Sequence, residues 1–236
     1  MSFLTARWNK LAFANYPVEA ALLQSYLPAH TELDRWQGQA YVSLIGFMFQ
    51  EVRLLGLRIP FHVNFEEVNL RFYVRRRVGS SWRRGVVFIK EIVPKPAITF
   101  VANTLYGEAY ETRRMHHRWQ QADGRQTVAY SWRVGSRWQT FGVEAQEKWQ
   151  DIPAGTEAEF ITEHYWGYSR SSKTKTTEYE VTHPRWRQAE VLSHNIDVDF
   201  QLNYGPAFRF LNDRQPTSVF LAEGSPITIE GKRTLK

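Results

Sequence analysis

The sequence contains no cysteine among its 236 residues. This absence excludes disulfide bridges, thiol nucleophiles and cysteine-ligated zinc or iron–sulfur centres, and it is typical of a reducing compartment. No apolar run reaches 18 residues, so no membrane-spanning helix is predicted. The opening MSFLTARWNK has no apolar stretch behind its charges, so no signal peptide is predicted and the expected location is the cytoplasm.

Lysine is also scarce, with 8 of the 30 basic residues against 22 arginines, and the net charge is +6. The arginines cluster at residues 75–77 and at Arg83 and Arg84, with Trp82 between them. Such a cluster either binds phosphates, with the tryptophan stacked on a base, or forms the solvated tip of a hairpin. We favour the hairpin tip, because no known nucleic-acid-binding module is present, and we expect no nucleic-acid partner.

Short strands dominate the predicted secondary structure. Residues 68–78 alternate apolar and polar side chains with period 2, and residues 86–93 follow as an antiparallel partner. Further strands are predicted at 40–52, on both sides of the QADG turn, and at 138–145, 165–170, 177–183, 219–222 and 227–229. Helices are predicted from Pro17 to before Pro28 and within 97–110. This pattern predicts one mainly β domain over residues 1–236, with an antiparallel sheet or barrel and a few short helices.

Most familiar catalytic and metal motifs are missing. The sequence has no dinucleotide fingerprint, phosphate-binding loop, nucleophile elbow or HExxH motif. His116 and His117 would point to opposite faces of a strand. His194 with Asp197 and Asp199 offers metal-ligand side chains, but in an ordinary polar strand or loop. We therefore predict no metal and no cofactor.

One face of the 68–78 strand is unusually polar. Period 2 places Glu67, Asn69, Arg71 and Tyr73 on the same face. If this face is solvated, it is the ordinary outside of a sheet. If it lines a concave interior, it supplies the convergent polar groups of a ligand pocket. The residue pattern leaves both interpretations open.

The segment FEEVNLRFYV, followed after a hairpin by GVVFIKEI, resembles the E-x-N-x-R-x-Y-V … G-V-x-F pattern of the YqjF-like family, which are uncharacterised bacterial proteins of the acetoacetate decarboxylase-like superfamily. The resemblance covers nearly the whole chain. It continues through YPVEAALLQSYLPAHTELD, GQAYVSLIGF, FITEHYWGYS, HPRWRQAE and SVFLAEGSPITI.

The resemblance implies a cone-like or barrel-like core that encloses a pocket, so the polar face would partly line a cavity. The enzymes of the superfamily use a lysine Schiff base, activated by a neighbouring lysine. The two lysine positions fall on Tyr110 and Glu111 here, so acetoacetate decarboxylase activity is not expected. Glu67 falls on a pocket carboxylate of those enzymes, and Ser43 replaces another.

We therefore predict a protein with an internal small-molecule pocket and assign no catalytic residue. The predicted ligand-binding residues are Ser43, Glu67, Asn69, Arg71, Tyr73 and Tyr110. Arg71 would bind a ligand carboxylate, or would pair with Glu67 inside the barrel. A lyase, isomerase or hydratase acting on a keto or hydroxy acid, with Tyr110 and Glu67 as an acid–base couple, is the first alternative. A regulatory or nucleic-acid-binding protein is the second, and a homo-oligomer is left open.

Overall fold

Long strands form most of the structure, a computed structural model that describes residues 2–236. Runs rich in β-branched and aromatic residues favour this conformation, because such side chains pack well on a pleated surface. The strands are β1 (Leu4–Val18), β2 (Glu32–Leu33), β3 (Ala40–Leu54), β4 (Phe65–Val78), β5 (Ser81–Val93), β6 (Tyr110–Thr112), β7 (Met115–Ala122), β8 (Arg125–Val134), β9 (Arg137–Asp151), β10 (Trp166–Arg170), β11 (Thr176–Thr182), β12 (Arg187–Asp197), β13 (Ser218–Ile229) and β14 (Arg233–Leu235).

The helices are short and lie between strands. They are α1 (Ala20–Leu23), α2 (Pro96–Val101) with a π-helical turn (Ala102–Tyr106), α3 (Glu157–Thr162), and α4 (Phe200–Tyr204) followed by a 3₁₀ helix (Pro206–Asp213). The helix predicted within 97–110 is confirmed. Among residues 2–236, no helix is both long and apolar enough to span a bilayer.

Seven strands close into a ring within one large mixed sheet. Around the ring the order is β1, β3, β4, β5, β10, β11 and β13. A short antiparallel pairing, Val181 opposite Ile229 and Thr182 opposite Thr228, closes it between β11 and β13. The mainly β prediction is confirmed. The sheet is not purely antiparallel, however, because β5 pairs in parallel with both β10 and β6.

The two faces of β4 contact different apolar clusters. Val68, Leu70, Phe72 and Val74 belong to a cluster outside the ring. Leu23 of α1 joins that cluster, together with residues of α4, the 3₁₀ helix and β8. The opposite face of β4 points into the ring.

Two details of the secondary-structure prediction were wrong, and the polar strand or loop expected around His194 is a strand. Pro17 does not begin a helix but lies in β1 opposite Tyr41, one residue before the strand ends, where a missing N–H is tolerated. The two predicted strands at 219–222 and 227–229 are one strand, β13, which continues through Pro226. The segment around His194 is the long strand β12, whose side chains are mostly exposed.

Candidate functional site

The ring encloses a small cavity of about 60 Å³. All seven strands of the ring contribute to its wall, together with residues that follow α3 and β11. The lining comprises Trp8, Leu11, Ile45, Phe47, Phe49, Glu67, Asn69, Arg71, Val86, Phe88, Glu91, Tyr110, Thr162, His164, Trp166, Gly167, Tyr179, Val181, His183, Trp186 and Ile229. We call this space the inner cavity.

Four of the six predicted ligand-binding residues line the inner cavity. Glu67, Asn69 and Arg71 come from alternate positions of β4, and Tyr110 opens β6. Asn69 Nδ2 donates to Glu67 Oε1 at 2.9 Å, and the Tyr110 hydroxyl donates to Glu67 Oε2 at 3.1 Å. The polar face of β4 is therefore the inner face of the ring, and it is buried.

Ser43 and Tyr73 lie outside the lining of this cavity. Both are buried, and their hydroxyl oxygens are 2.6 Å apart. The Ser43 hydroxyl also donates to Asn15 Oδ1 at 2.6 Å. Their polar atoms are thus satisfied by the protein itself. The Tyr73 ring packs instead against Phe160 and His164.

Arg71 has no carboxylate partner in the described residues. The expected ion pair with Glu67 is wrong, since no acidic oxygen lies within 4.0 Å of its guanidinium nitrogens. One nitrogen donates to the carbonyl of Ile161 at 3.3 Å, and Nε has no partner. The guanidinium lies 5.6 Å from the ring centres of both Phe13 and Tyr73. Aromatic faces partly compensate the charge.

Two further glutamates share the neighbourhood of Glu67. Glu91 of β5 lies opposite Asn69 of β4 on one side and opposite Tyr110 of β6 on the other. The three residues therefore form one row across three strands. Glu91 is buried, and its Oε2 has no partner. Glu108 accepts from the Tyr179 hydroxyl at 2.8 Å. Sequence reasoning missed both glutamates.

Burial disfavours the charged forms of these carboxyl groups. It raises the pKa of Glu67 to about 7, and hydrogen bonds from Asn69 and Tyr110 only partly oppose this. Burial, with the charge of Glu67 added, raises the pKa of Glu108 to about 8. The pKa of Glu91 lies well above its ordinary value, through burial and the neighbouring Glu108 and Glu67. Near neutral pH the cavity therefore holds protonated carboxyl groups that can donate hydrogen bonds.

A histidine–aspartate pair completes the polar wall. His164 Nε2 lies 3.1 Å from Asp34 Oδ2, and Arg84 Nε donates to the same oxygen at 2.6 Å. Burial raises the pKa of Asp34, but the bonds from His164 and Arg84 outweigh it and lower the pKa. Burial lowers the pKa of His164 to about 4, so the ring is neutral at pH 7. Because an ionised Asp34 only accepts, the proton sits on Nε2, and the unpartnered Nδ1 is a free acceptor.

The wall facing β4 depends on a glycine. A Cβ at Gly167 of β10 would lie 2.1 Å from Cζ of Tyr179 on the neighbouring β11. Only glycine leaves room for this ring, because real Cβ atoms do not approach other atoms so closely. Gly167 thus places the Tyr179 hydroxyl against Glu108.

None of the lysines in the described residues lines the inner cavity. Lys90 donates to Glu111 at 2.8 Å, and Glu111 also pairs with Arg113. Of Tyr110 and Glu111, which the resemblance implies in place of two lysines, only Tyr110 lines the cavity. Within residues 2–236, no group of three or more histidine, aspartate or glutamate side chains could hold a metal ion. His194 and its neighbours form no such group, since Asp197 pairs with Arg137 and Asp199 caps α4.

The arginine cluster is engaged in ion pairs rather than free. Arg76 and Arg83 bind Glu178 at 3.1 and 2.7 Å, and Arg233 Nε joins them at 2.6 Å. The Glu178 side chain is fully buried. We call these four residues the Glu178 cluster. The expected solvated tip is therefore only partly observed, because Arg75 and Arg84 also have acidic partners.

Comparison with known proteins places the chain in a family. The DUF2071 family, described as an uncharacterized conserved protein, matches residues 5–226. The uncharacterized protein YqjF of Bacillus subtilis (strain 168) is 41% identical over 68 residues, a match that spans 28% of either protein.

Solved structures of low sequence identity share the fold. Acetoacetate decarboxylase from Legionella pneumophila has a TM-score of 0.64 at 13% identity, over 100% of this chain and 90% of that one. An acetoacetate decarboxylase-like enzyme from Sphingomonas wittichii RW1 has a TM-score of 0.67 at 13% identity, over 100% and 94%. The enduracididine biosynthesis enzyme MppR complexed with pyruvate has a TM-score of 0.66 at 13% identity, over 100% and 91%. The chain thus belongs to the DUF2071 family and has an acetoacetate decarboxylase-like fold.

Proposed function

We propose that the protein binds a small carboxylate in the inner cavity without forming a Schiff base. The observation that carries the proposal is Arg71, a buried guanidinium with an unpartnered Nε and no carboxylate within 4.0 Å in the described residues. An unpaired buried charge costs several kcal/mol. A ligand carboxylate would remove this cost, because it matches the planar guanidinium fork in a bidentate arrangement.

The protonated carboxyl groups support the same ligand class. With the pKa of Glu67 raised to about 7 and that of Glu91 well above its ordinary value, the inner cavity does not carry two full negative charges at neutral pH. An incoming carboxylate therefore meets Arg71 and hydrogen-bond donors rather than a wall of anions. A carbonyl or hydroxyl group elsewhere on the ligand would accept from those donors.

A second candidate function is acid–base catalysis on a bound keto or hydroxy acid. It rests on the 3.1 Å bond between Tyr110 and Glu67, together with a carboxyl pKa near neutrality. A group of this pKa can both give and take a proton at physiological pH. Burial keeps Tyr110 protonated by raising its pKa well above the ordinary value, so Tyr110 would act as the donor. His164 Nδ1 is a further acceptor in the same wall.

Calorimetric titration with acetate, propionate, pyruvate and acetoacetate tests the binding proposal. The Arg71→Gln variant should lose about tenfold to a hundredfold in affinity, because a hydrogen bond to a charged group contributes about 1.5–3 kcal/mol. Arg118→Gln, an exposed arginine on β7, is the matched control and should bind like the wild type. Failure of the wild-type protein to bind any acid, or equal affinities in Arg71→Gln, would contradict the proposal.

The absence of Schiff-base chemistry has its own test. Incubation with acetoacetate and borohydride, followed by intact mass measurement, should give no covalent adduct. The physical reason is that no lysine amine in the described residues faces the inner cavity. A stable adduct on one lysine would overturn this part of the proposal, and Lys90 and Lys95 would be the first to map.

A further inference from the structure

A second, larger space adjoins the inner cavity. Its volume is about 290 Å³, and its wall is formed by β1, β3, the segment between β3 and β4, α2 and the π-helical turn. The lining is mostly apolar and comprises Phe3, Leu4, Phe49, Val52, Leu54, Ile59, His62, Phe65, Ala97, Ile98, Val101, Ala102, Tyr106, Glu108, Tyr110, Tyr179 and Ile229. We call this space the outer chamber.

Four residues line both spaces, and they mark where the two meet. Phe49, Tyr110, Tyr179 and Ile229 belong to the wall of each. The hydroxyls of the two tyrosines bond Glu67 and Glu108. Polarity therefore changes across this boundary. Arg71, Glu67 and most of the other polar groups line the inner cavity, whereas the outer chamber is mostly hydrocarbon, with Glu108 and His62 as its charged or titratable members.

The segments that wall the outer chamber also carry exposed apolar side chains. Between β3 and β4, Leu55, Leu57 and Phe61 are 55%, 68% and 89% exposed. Phe100 of α2 is 69% exposed, and Leu105 of the π-helical turn is exposed as well. Exposed apolar surface, where it is continuous, typically marks an interaction site. Here the exposed side chains lie on segments that also line the apolar chamber.

From this polarity we infer the class of ligand: an amphiphilic monocarboxylate, with its head at Arg71 and a hydrocarbon tail in the outer chamber. This inference rests on the proposed function. The sizes agree with it, since one water occupies about 30 Å³ in the liquid. The inner cavity has room for a head of about two such units, and the outer chamber for a tail of about ten. A short polar acid such as acetate would leave the outer chamber unfilled.

A series of straight-chain monocarboxylates from two to ten carbons tests the inference by calorimetric titration. Affinity of the wild-type protein should rise about fourfold for each added methylene, the fold-change that corresponds to about 0.8 kcal/mol per buried CH₂. Ile98→Trp fills the outer chamber and should abolish the rise while retaining affinity for acetate. Leu105→Trp lies on the neighbouring turn, outside the lining, and should behave like the wild type.

The outcomes separate this inference from the function on which it rests. Affinity independent of chain length overturns the amphiphilic ligand but leaves carboxylate binding intact. A rise with chain length that alkylamines reproduce overturns the carboxylate head. Absence of binding by every acid overturns both. If Ile98→Trp does not fold, as judged by its melting transition, Val101→Phe blocks the same chamber from the next turn of α2 and must give the same loss.

Discussion

Two groups of buried charges lie on opposite faces of β11, and they are built in opposite ways. Glu178 faces outward and is held by three arginines, Arg76, Arg83 and Arg233. The next residue, Tyr179, faces inward to a cavity lined by two glutamates, Glu67 and Glu91, and by Arg71, which has no ion pair in the described residues. Compensated charge stabilises a fold, whereas uncompensated charge in a cavity is available to a ligand. The difference is consistent with a structural role for the first group and with the binding role that we propose for the second.

The largest effect on stability is expected when the carboxylate of Glu178 is removed from its three arginines. Glu178→Gln leaves three arginines facing one another around a buried amide, so the free energy of unfolding should fall by about 3–5 kcal/mol. Urea denaturation measures this change. Glu180→Gln on the same strand is the control, since Glu180 has no ion pair in the described residues. A loss below about 1 kcal/mol would remove the contrast between the two groups.

Substitution of Glu67 by glutamine is expected to have an intermediate effect on the free energy of unfolding, and this effect depends on pH. Burial raises the pKa of the Glu67 carboxyl in the folded protein to about 7, from 4.5 in the unfolded chain. As the pH rises, the unfolded chain therefore loses the carboxyl proton before the folded protein does. The free energy of unfolding is highest below about pH 4.5 and falls as the pH rises towards 7. Glu67→Gln should abolish this loss of about 3 kcal/mol, making the variant more stable than the wild type at pH 8 and about equal at pH 4.

The measurement compares urea midpoints across pH 4 to 8 for both proteins. Burial lowers the pKa of His164 and of His183 to about 4, so these residues remove stability as the pH falls below about 6.5. Their contribution is present in both proteins and cancels in the difference. Glu190→Gln on the exposed face of β12 should reproduce the wild-type profile. Parallel profiles for Glu67→Gln and wild type would contradict the raised pKa.

The smallest effect on stability is expected at Arg71, despite its burial. Arg71→Gln breaks no ion pair and removes only the 3.3 Å bond to the Ile161 carbonyl. The loss of that bond, about 1 kcal/mol, is offset by relief of the cost of burying an unpaired charge, so the free energy of unfolding should not fall. Thermal melts of variant and wild type measure this. A loss of more than about 3 kcal/mol would mean that Arg71 is compensated like the arginines around Glu178.

Strand periodicity correctly predicted the cavity residues of β4, but it did not predict those of β5. Period 2 correctly grouped Glu67, Asn69 and Arg71, because β4 is regular over these residues. On β5 the register shifts, with Lys90 opposite Leu70 but Phe88 opposite Arg71. This bulge brings Phe88 and Glu91 to the same face although they are three residues apart. Alternation along the sequence would place Glu91 with Ile89, so its role in the cavity was not predictable.

Long-range partners were the other limit of sequence reasoning. The alternation placed Arg71 near Glu67, but it could not show that the guanidinium would turn to the Ile161 carbonyl, 90 residues away. The Tyr73 hydroxyl was equally unpredictable, because Ser43 and Asn15, on β3 and β1, satisfy it through one short chain of hydrogen bonds. The sequence of one strand is enough to identify a polar face. The hydrogen-bond partners of its side chains depend on segments that are distant in the chain.

The closure of the ring also constrains how the protein is made. β1 pairs with β13, so residues 4–15 must wait for residues 218–229 to leave the ribosome before that ladder can form. Pairings between such distant segments fold slowly, because the entropy of closing a long loop is lost before contacts are gained. Ile229, in the last residue pair of the β11–β13 seam, also lines both cavities. The walls of both cavities therefore stay incomplete on a nascent chain until Ile229 has left the ribosome.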